Sequence, residues 1–159
     1  MTKLRFVGLI AVLVVAASSA AASARTQTPS RHHGTGPANL ELTYTKWIAP
    51  GFPNMAGVVG GDIVGKFGGA ILERTVTGSI VHLDAIYIVA APDPAKSFTA
   101  RVEGTEDLST LKAVLDGRVV DGYLKRAHVH VQFDVITCTQ APSGTCFQGT
   151  ISVTRSADD

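Results

Sequence analysis

The sequence predicts an all-β protein: a single antiparallel closed barrel of about eight strands with at most one short helix. Three observations carry this expectation. The stretch from Ala127 to Val153 consists of two alternating runs that end at Cys138 and resume at Cys146. If those cysteines face each other, Val135 opposes Gly149, Phe133 opposes Ile151 and Val131 opposes Val153 on one apolar face. The other face pairs Asp134 with Thr150, Gln132 with Ser152 and His130 with Thr154, because side chains alternate along a strand and opposed residues share a side. A slip of one residue would set Phe133 against Ser152 and mix the faces, so cysteines and pattern specify one register. The second observation is Ala56 to Leu72, where glycines at 57, 60, 61, 65, 68 and 69 interleave with Val58, Val59, Ile63, Val64 and Phe67. Glycine inside strands marks coiling, bulges or close backbone approach, the devices that bend a sheet into a barrel. The third is a series of further alternating segments separated by Pro, Gly and Asp, with no repeat of fixed period; closure is how such a sheet removes its edges.

The ends of the chain set its context. Residues 1–24 read as a signal peptide: Lys3 and Arg5 form the charged start, Phe6 to Ala17 the apolar run, and Ala22-Ser23-Ala24 the small-residue cleavage site. The apolar run is shorter than the roughly 20 residues that span a bilayer. Residues 25–38, with two prolines, two glycines and almost nothing apolar, read as a flexible linker, and 156–159 as a disordered tail. That leaves 39–155 as one barrel domain, which suits a chain of 159 residues that is 45% apolar and 17% charged. Without the leader, which carries Lys3 and Arg5 and no acid, the 14 basic groups fall to twelve against 13 acidic ones. Such a balance offers no clustered charge to a polyanion, so neither nucleic acid nor, after leader cleavage, a membrane is an expected partner. Export, to the periplasm or outside the cell, places Cys138 and Cys146 where a disulfide forms.

Taken in order, Leu40 to Trp47 alternates and predicts a first strand, closed by Pro50-Gly51-Phe52-Pro53. The glycine-laden segment holds neither GxGxxG nor GxxxxGK[ST], which excludes a phosphate-cradling loop. Ser79 to Ala91 predicts a long strand apolar on both faces, Val81, Leu83, Ala85, Tyr87 and Val89 against Ile80, Ile86 and Ile88. A strand buried on both sides of a single-layer barrel needs a cover, and a second copy of the chain, in a homo-oligomer, is the expected one. Ser97 to Glu103 predicts a half-exposed strand. Glu106 to Gly117 predicts the one short helix, with Asp107 as cap, Leu108, Leu111 and Leu115 at helical spacing and Gly117 as terminator. Arg118 to Tyr123 returns to extended structure.

Chemistry-bearing residues are few. His128 and His130 stand two apart on a strand and, with His82, form a candidate metal set; the plainer reading is a solvated polar face continued by Gln132 and Asp134. His32-His33 falls in the linker. Acid–base candidates are Asp84, Glu73, Glu103, Arg101, Tyr44 and Tyr87. Asp84 leads them, because burial within an apolar strand would raise a carboxyl pKa. There is no GxSxG elbow, and the cysteines are committed to each other. No cofactor is called for.

The segments GVVGGDIVGKFGGAIL, LDAIYIV, SFTARVEG, GRVVDGYLKRAHVHVQFDV and CFQGTISV, within Leu40 to Val153, resemble secreted bacterial members of the allene oxide cyclase-like and dirigent-like barrel group. The resemblance is strongest in the early hairpin, G-x-x-x-G-x-F-x-G-A in form. It implies an eight-stranded barrel with an apolar lumen, often trimeric, in which some relatives fold a reactive unsaturated intermediate into one cyclised or coupled stereoisomer. The expected function is therefore an exported barrel whose lumen binds a small apolar or phenolic molecule; if it is an enzyme, it is a cyclase or isomerase acting by confinement. Lumen candidates are Phe98, Phe133 and Ile151. The alternatives are a non-catalytic binding or structural module with a filled lumen, and a metal-binding barrel through His82, His128 and His130.

Overall fold

The computed structural model describes residues 39–52 and 54–155. The leader, linker and tail expected at the two ends lie outside the described residues. Eight strands run in chain order: β1 (Asn39–Ile48), β2 (Asn54–Gly61), β3 (Gly65–Thr77), β4 (Ile80–Ala90), β5 (Phe98–Asp107), β6 (Lys112–Gly122), β7 (His128–Thr137) and β8 (Thr145–Thr154). Each pairs antiparallel with the next, and β1 pairs with β8, so the sheet closes as an up-and-down barrel. The one helical element among the described residues is a single 3-10 turn at Pro94–Lys96, capped by the Asp93 carboxylate.

Alternation sorts the side chains. Leu42 and Tyr44 from β1, Tyr87 and Val89 from β4, Phe98, Ala100 and Val102 from β5, Val129, Val131 and Phe133 from β7 and Ile151 and Val153 from β8 all point inward and are buried. They form one core with Ile63 from the β2–β3 turn and with Leu124 and Ala127 from the β6–β7 connection. Those three loop residues fold over one end of the cylinder and close it. Burying a Val, Leu, Ile or Phe contributes about 1.5–3 kcal/mol each.

Two sequence expectations need correction. The β7–β8 register is displaced by two residues from the expected one: Phe133 opposes Gly149, Val131 opposes Ile151 and Val135 opposes Phe147. On the outer face, His130 opposes Ser152, Gln132 opposes Thr150 and Asp134 opposes Gln148. A shift of two preserves parity, so both faces keep their character. The cause is the disulfide's geometry. Cys138 donates its backbone N–H to the Gly144 carbonyl (3.0 Å) and so lies opposite Gly144, and it bridges diagonally to Cys146 with the Cα atoms 5.7 Å apart. Diagonal neighbours are within reach of a disulfide as well as opposed ones. The register also places glycine where the strands crowd: a Cβ at Gly149 would collide with the Gln132 carbonyl and the Phe133 Cα.

The helix expected over 106–117 is instead the end of β5, a tight turn and the start of β6. Asp107 does cap, but it caps the turn: its carboxylate accepts from the Ser109 N–H (2.8 Å) and hydroxyl (2.6 Å), while Leu111 closes the loop with φ of 59°. Leu108 and Leu111 flank the hairpin tip and Leu115 points into the lumen, so helical spacing arose from two strand ends and a bend. On β4 the outer face, for which a second copy is the expected cover, is open in the single chain. Ile86 is partly covered, Ile88 is exposed, and His82 and Asp84 make the rest of that face polar.

Candidate functional site

The end of the barrel opposite Ile63 and Leu124 stays open. Between Phe52, from the β1–β2 connection, and Leu108 and Leu111, at the β5–β6 tip, a cavity of about 280 Å³ leads into the lumen. Its wall is largely apolar, from Ile48, Met55, Ile71, Leu83, Ala85, Leu115, Phe133, Val135 and Phe147, with Thr145 near the disulfide. Besides Thr145, four titratable groups interrupt it: Lys46, Arg74, Tyr87 and Glu106.

Lys46 sits at the cavity floor because β1 continues its inward series Leu42, Tyr44, Lys46; it is only 4% exposed. Its Nζ donates a hydrogen bond to the Tyr87 hydroxyl. Five aromatic rings surround the nitrogen, those of Tyr87 at 4.2 Å, Phe133 at 4.4 Å, Tyr44 and Phe147 at 5.6 Å and Phe67 at 5.9 Å from centroid to Nζ. The rings hold one another: Phe67 stacks on Tyr44 at 5.6 Å and meets Tyr87 edge-on at 4.9 Å, and Phe133 meets Phe147 edge-on at 5.4 Å. Ring faces attract an ammonium, yet they replace little of the hydration that burial removes. Burial accordingly lowers the Lys46 pKa from 10.5 to about 7, with the Glu106 carboxylate as the smaller opposing influence.

Glu106 is also inward, the last of the series Phe98, Ala100, Val102, Gly104, Glu106; burial pushes its carboxyl up, against the pull of Arg74 and Lys46. Burial likewise raises the Tyr87 and Tyr44 phenols far above neutrality, so both stay protonated. The Tyr44 hydroxyl has no hydrogen-bond partner among the described residues. Arg74 reaches the mouth through an irregularity. The β3–β4 register shifts between Ile71 and Glu73, leaving Leu72 as an extra residue. Beyond this bulge Glu73 pairs with Asp84 outside and Arg74 with the cavity-lining Leu83.

Of the lumen candidates, Phe133 lines the cavity, whereas Phe98 and Ile151 pack in the closed half. Of the acid–base candidates, Tyr87 and Tyr44 lie in the lumen. Asp84, Arg101, Glu103 and Glu73 lie on the outer face instead. There Arg101 donates to both Asp84 oxygens (3.1 and 2.6 Å) and stands 3.6 Å from Glu103. The apolar surroundings anticipated for Asp84 are absent because its side of β4 faces out, where a guanidinium neutralises it. His128 and His130 do share the outer face of β7, where Asp116 accepts from or pairs with both, at 3.6 and 2.7 Å. His82 is not with them, since β5 and β6 separate β4 from β7. Among the described residues no group of three or more His, Cys, Asp or Glu side chains is placed to hold a metal ion.

Sequence reasoning missed Lys46, Glu106 and Arg74. The first two had a signal: each occupies an inward position in an otherwise apolar alternating series. Arg74 had none, because a bulge reverses its phase. Compared with protein-family models, with curated proteins and with solved structures, the chain matches none.

Proposed function

We propose that this chain is an exported β-barrel that binds a small apolar or phenolic molecule in the open half of its lumen. The observation that carries the reading is the cavity of about 280 Å³, apolar in wall and polar only at chosen points, with a buried amine and a phenol at its floor. That is roughly twice the ~150 Å³ hollow that accepts one benzene, which sizes the guest as a bicyclic aromatic or a short terpene-like chain. The floor offers a hydroxyl-bearing guest both a donor and an acceptor. A reactive unsaturated guest would be held in one folded conformation, and such confinement is how a cyclase or isomerase of this kind works. The eight-strand closed meander and the apolar lumen are in keeping with the resemblance to allene oxide cyclase-like and dirigent-like barrels. The disulfide is in keeping with export, and among the described residues no helix is long and apolar enough to cross a membrane.

The reading of a wholly filled structural barrel fits only the closed half. The test is titration with 1-naphthol, followed by its own fluorescence. Saturable binding at one site per chain is expected, abolished by Ala85→Phe, which fills the cavity; absence of saturation up to about 1 mM ends the proposal. We propose further that Ile86 and Ile88, on the outer face of β4 beside the small Gly68 and Ala70 of β3, meet a second copy of the chain. Sedimentation of Ile88→Lys beside the wild type tests this, and identical monomeric mass in both overturns it.

A further inference from the structure

The buried amine has no evident structural purpose. Among the described residues no carboxylate contacts Lys46: its one hydrogen-bond partner there is the neutral Tyr87 hydroxyl, and the rest of its surroundings are ring faces and the cavity. A methionine or leucine would fill the same inward position of β1 without the cost of taking an ammonium out of water. The nitrogen lies on the cavity wall, where a guest seated against Phe133 and Leu115 presents its end to it.

We propose that Lys46 is a carbonyl-capturing nucleophile, and that the cavity takes an apolar aldehyde, aromatic or α,β-unsaturated, and holds it as an imine. This rests on the cavity reading above and names the guest's reactive group. The Nζ lone pair attacks the carbonyl carbon, forming a carbon–nitrogen bond, and a hydrogen passes from nitrogen to the carbonyl oxygen to give a carbinolamine. The Tyr87 hydroxyl, hydrogen-bonded to Nζ, can relay that hydrogen by accepting one and giving one, so the phenol never has to carry a charge. The carbon–oxygen bond then breaks, the second amine hydrogen leaves with the oxygen as water, and the carbon–nitrogen double bond remains. The apolar wall shields the imine from bulk water, which would hydrolyse it. Burial also keeps much of Lys46 as the free amine near neutrality, the form that attacks.

The test uses the full chain with cinnamaldehyde and sodium cyanoborohydride at pH 7.5, read by intact mass and peptide mapping. The expected result is one reduced adduct per chain, on Lys46, formed at least tenfold faster than on the exposed Lys66, Lys112 and Lys125 and suppressed by excess 1-naphthol. Lys46→Met should lose the adduct. Labelling spread evenly over surface lysines, or unchanged in Lys46→Met, overturns the proposal. If 1-naphthol binds but no Lys46 adduct forms, imine capture fails and the cavity reading stands; if neither occurs, both fail. Mapping and protection on the wild type keep the proposal falsifiable should Lys46→Met not fold.

Discussion

The two ends of this cylinder obey the same alternation and arrive at opposite results. At the closed end every inward position is apolar, and the β2–β3 turn and β6–β7 connection send Ile63, Leu124 and Ala127 back over the opening. At the open end the loops stand aside, and the inward series from β1, β3 and β5 each include a charged residue: Lys46, Arg74 and Glu106. The difference teaches that in a small barrel the strands make the wall, while the connections and the inward residues toward each end decide whether that end is core or site.

Substitutions at the two ends should separate these roles. The largest effect is expected from Lys46→Met. Its facing charged and titratable groups are Tyr44 on β1, Arg74 on β3, Tyr87 on β4 and Glu106 on β5. With a folded pKa of about 7 against 10.5 unfolded, the unfolded chain holds the extra proton between those values. Wild-type stability contributed by this group therefore rises with pH from 7 to 10.5 and its penalty is complete below 7. Removing the amine should raise the unfolding free energy by as much as about 5 kcal/mol at pH 6 and by almost nothing above pH 10.5, read from urea unfolding across pH. A pH-independent gain would contradict a titrating lysine at the open end.

At the closed end, Phe98→Ala should cost about 3–5 kcal/mol while leaving 1-naphthol affinity unchanged. The mirror experiment, Leu111→Ala at the rim, should cost under about 0.5 kcal/mol in stability and act on binding, because that side chain is already half exposed. Replacing Cys138 and Cys146 together by serine should lower stability by about 2–3 kcal/mol, the chain entropy of so short a loop. The smallest effect belongs to Glu106→Gln. Loss of the one carboxylate that favours protonated Lys46 should move the lysine's titration further down, as followed by NMR of the Nζ-adjacent methylene, with the closed end unperturbed.

Much of this contrast was legible in the residues. The barrel, the inward faces and the disulfide partners followed from alternation and cysteine placement, since parity survives small errors. The two-residue displacement of β7 against β8 did not, because opposed and diagonal cysteines satisfy the same pattern. The Leu108, Leu111, Leu115 spacing misled because a turn between two strands mimics one face of a helix when Asp107 caps it. The site itself was half readable: Lys46 and Glu106 stand at positions the alternation assigns to the interior. The emphasis on Asp84 came from its apolar neighbours, and which side of β4 faces the lumen was what decided against it; His82 was separated from His128 and His130 by the strand order.

The irregularity at Leu72 has a bearing on what the doorway admits. Had the spare residue fallen after Arg74 instead, Glu73 would turn toward the lumen and Arg74 toward solvent, with composition and length untouched. The entrance would then present two carboxylates beside one amine in place of one carboxylate beside that amine and a guanidinium. The sign of the threshold is thus written in where the ribbon carries its slack, so chains of nearly identical sequence and cavity would differ in whether they favour anionic or cationic visitors.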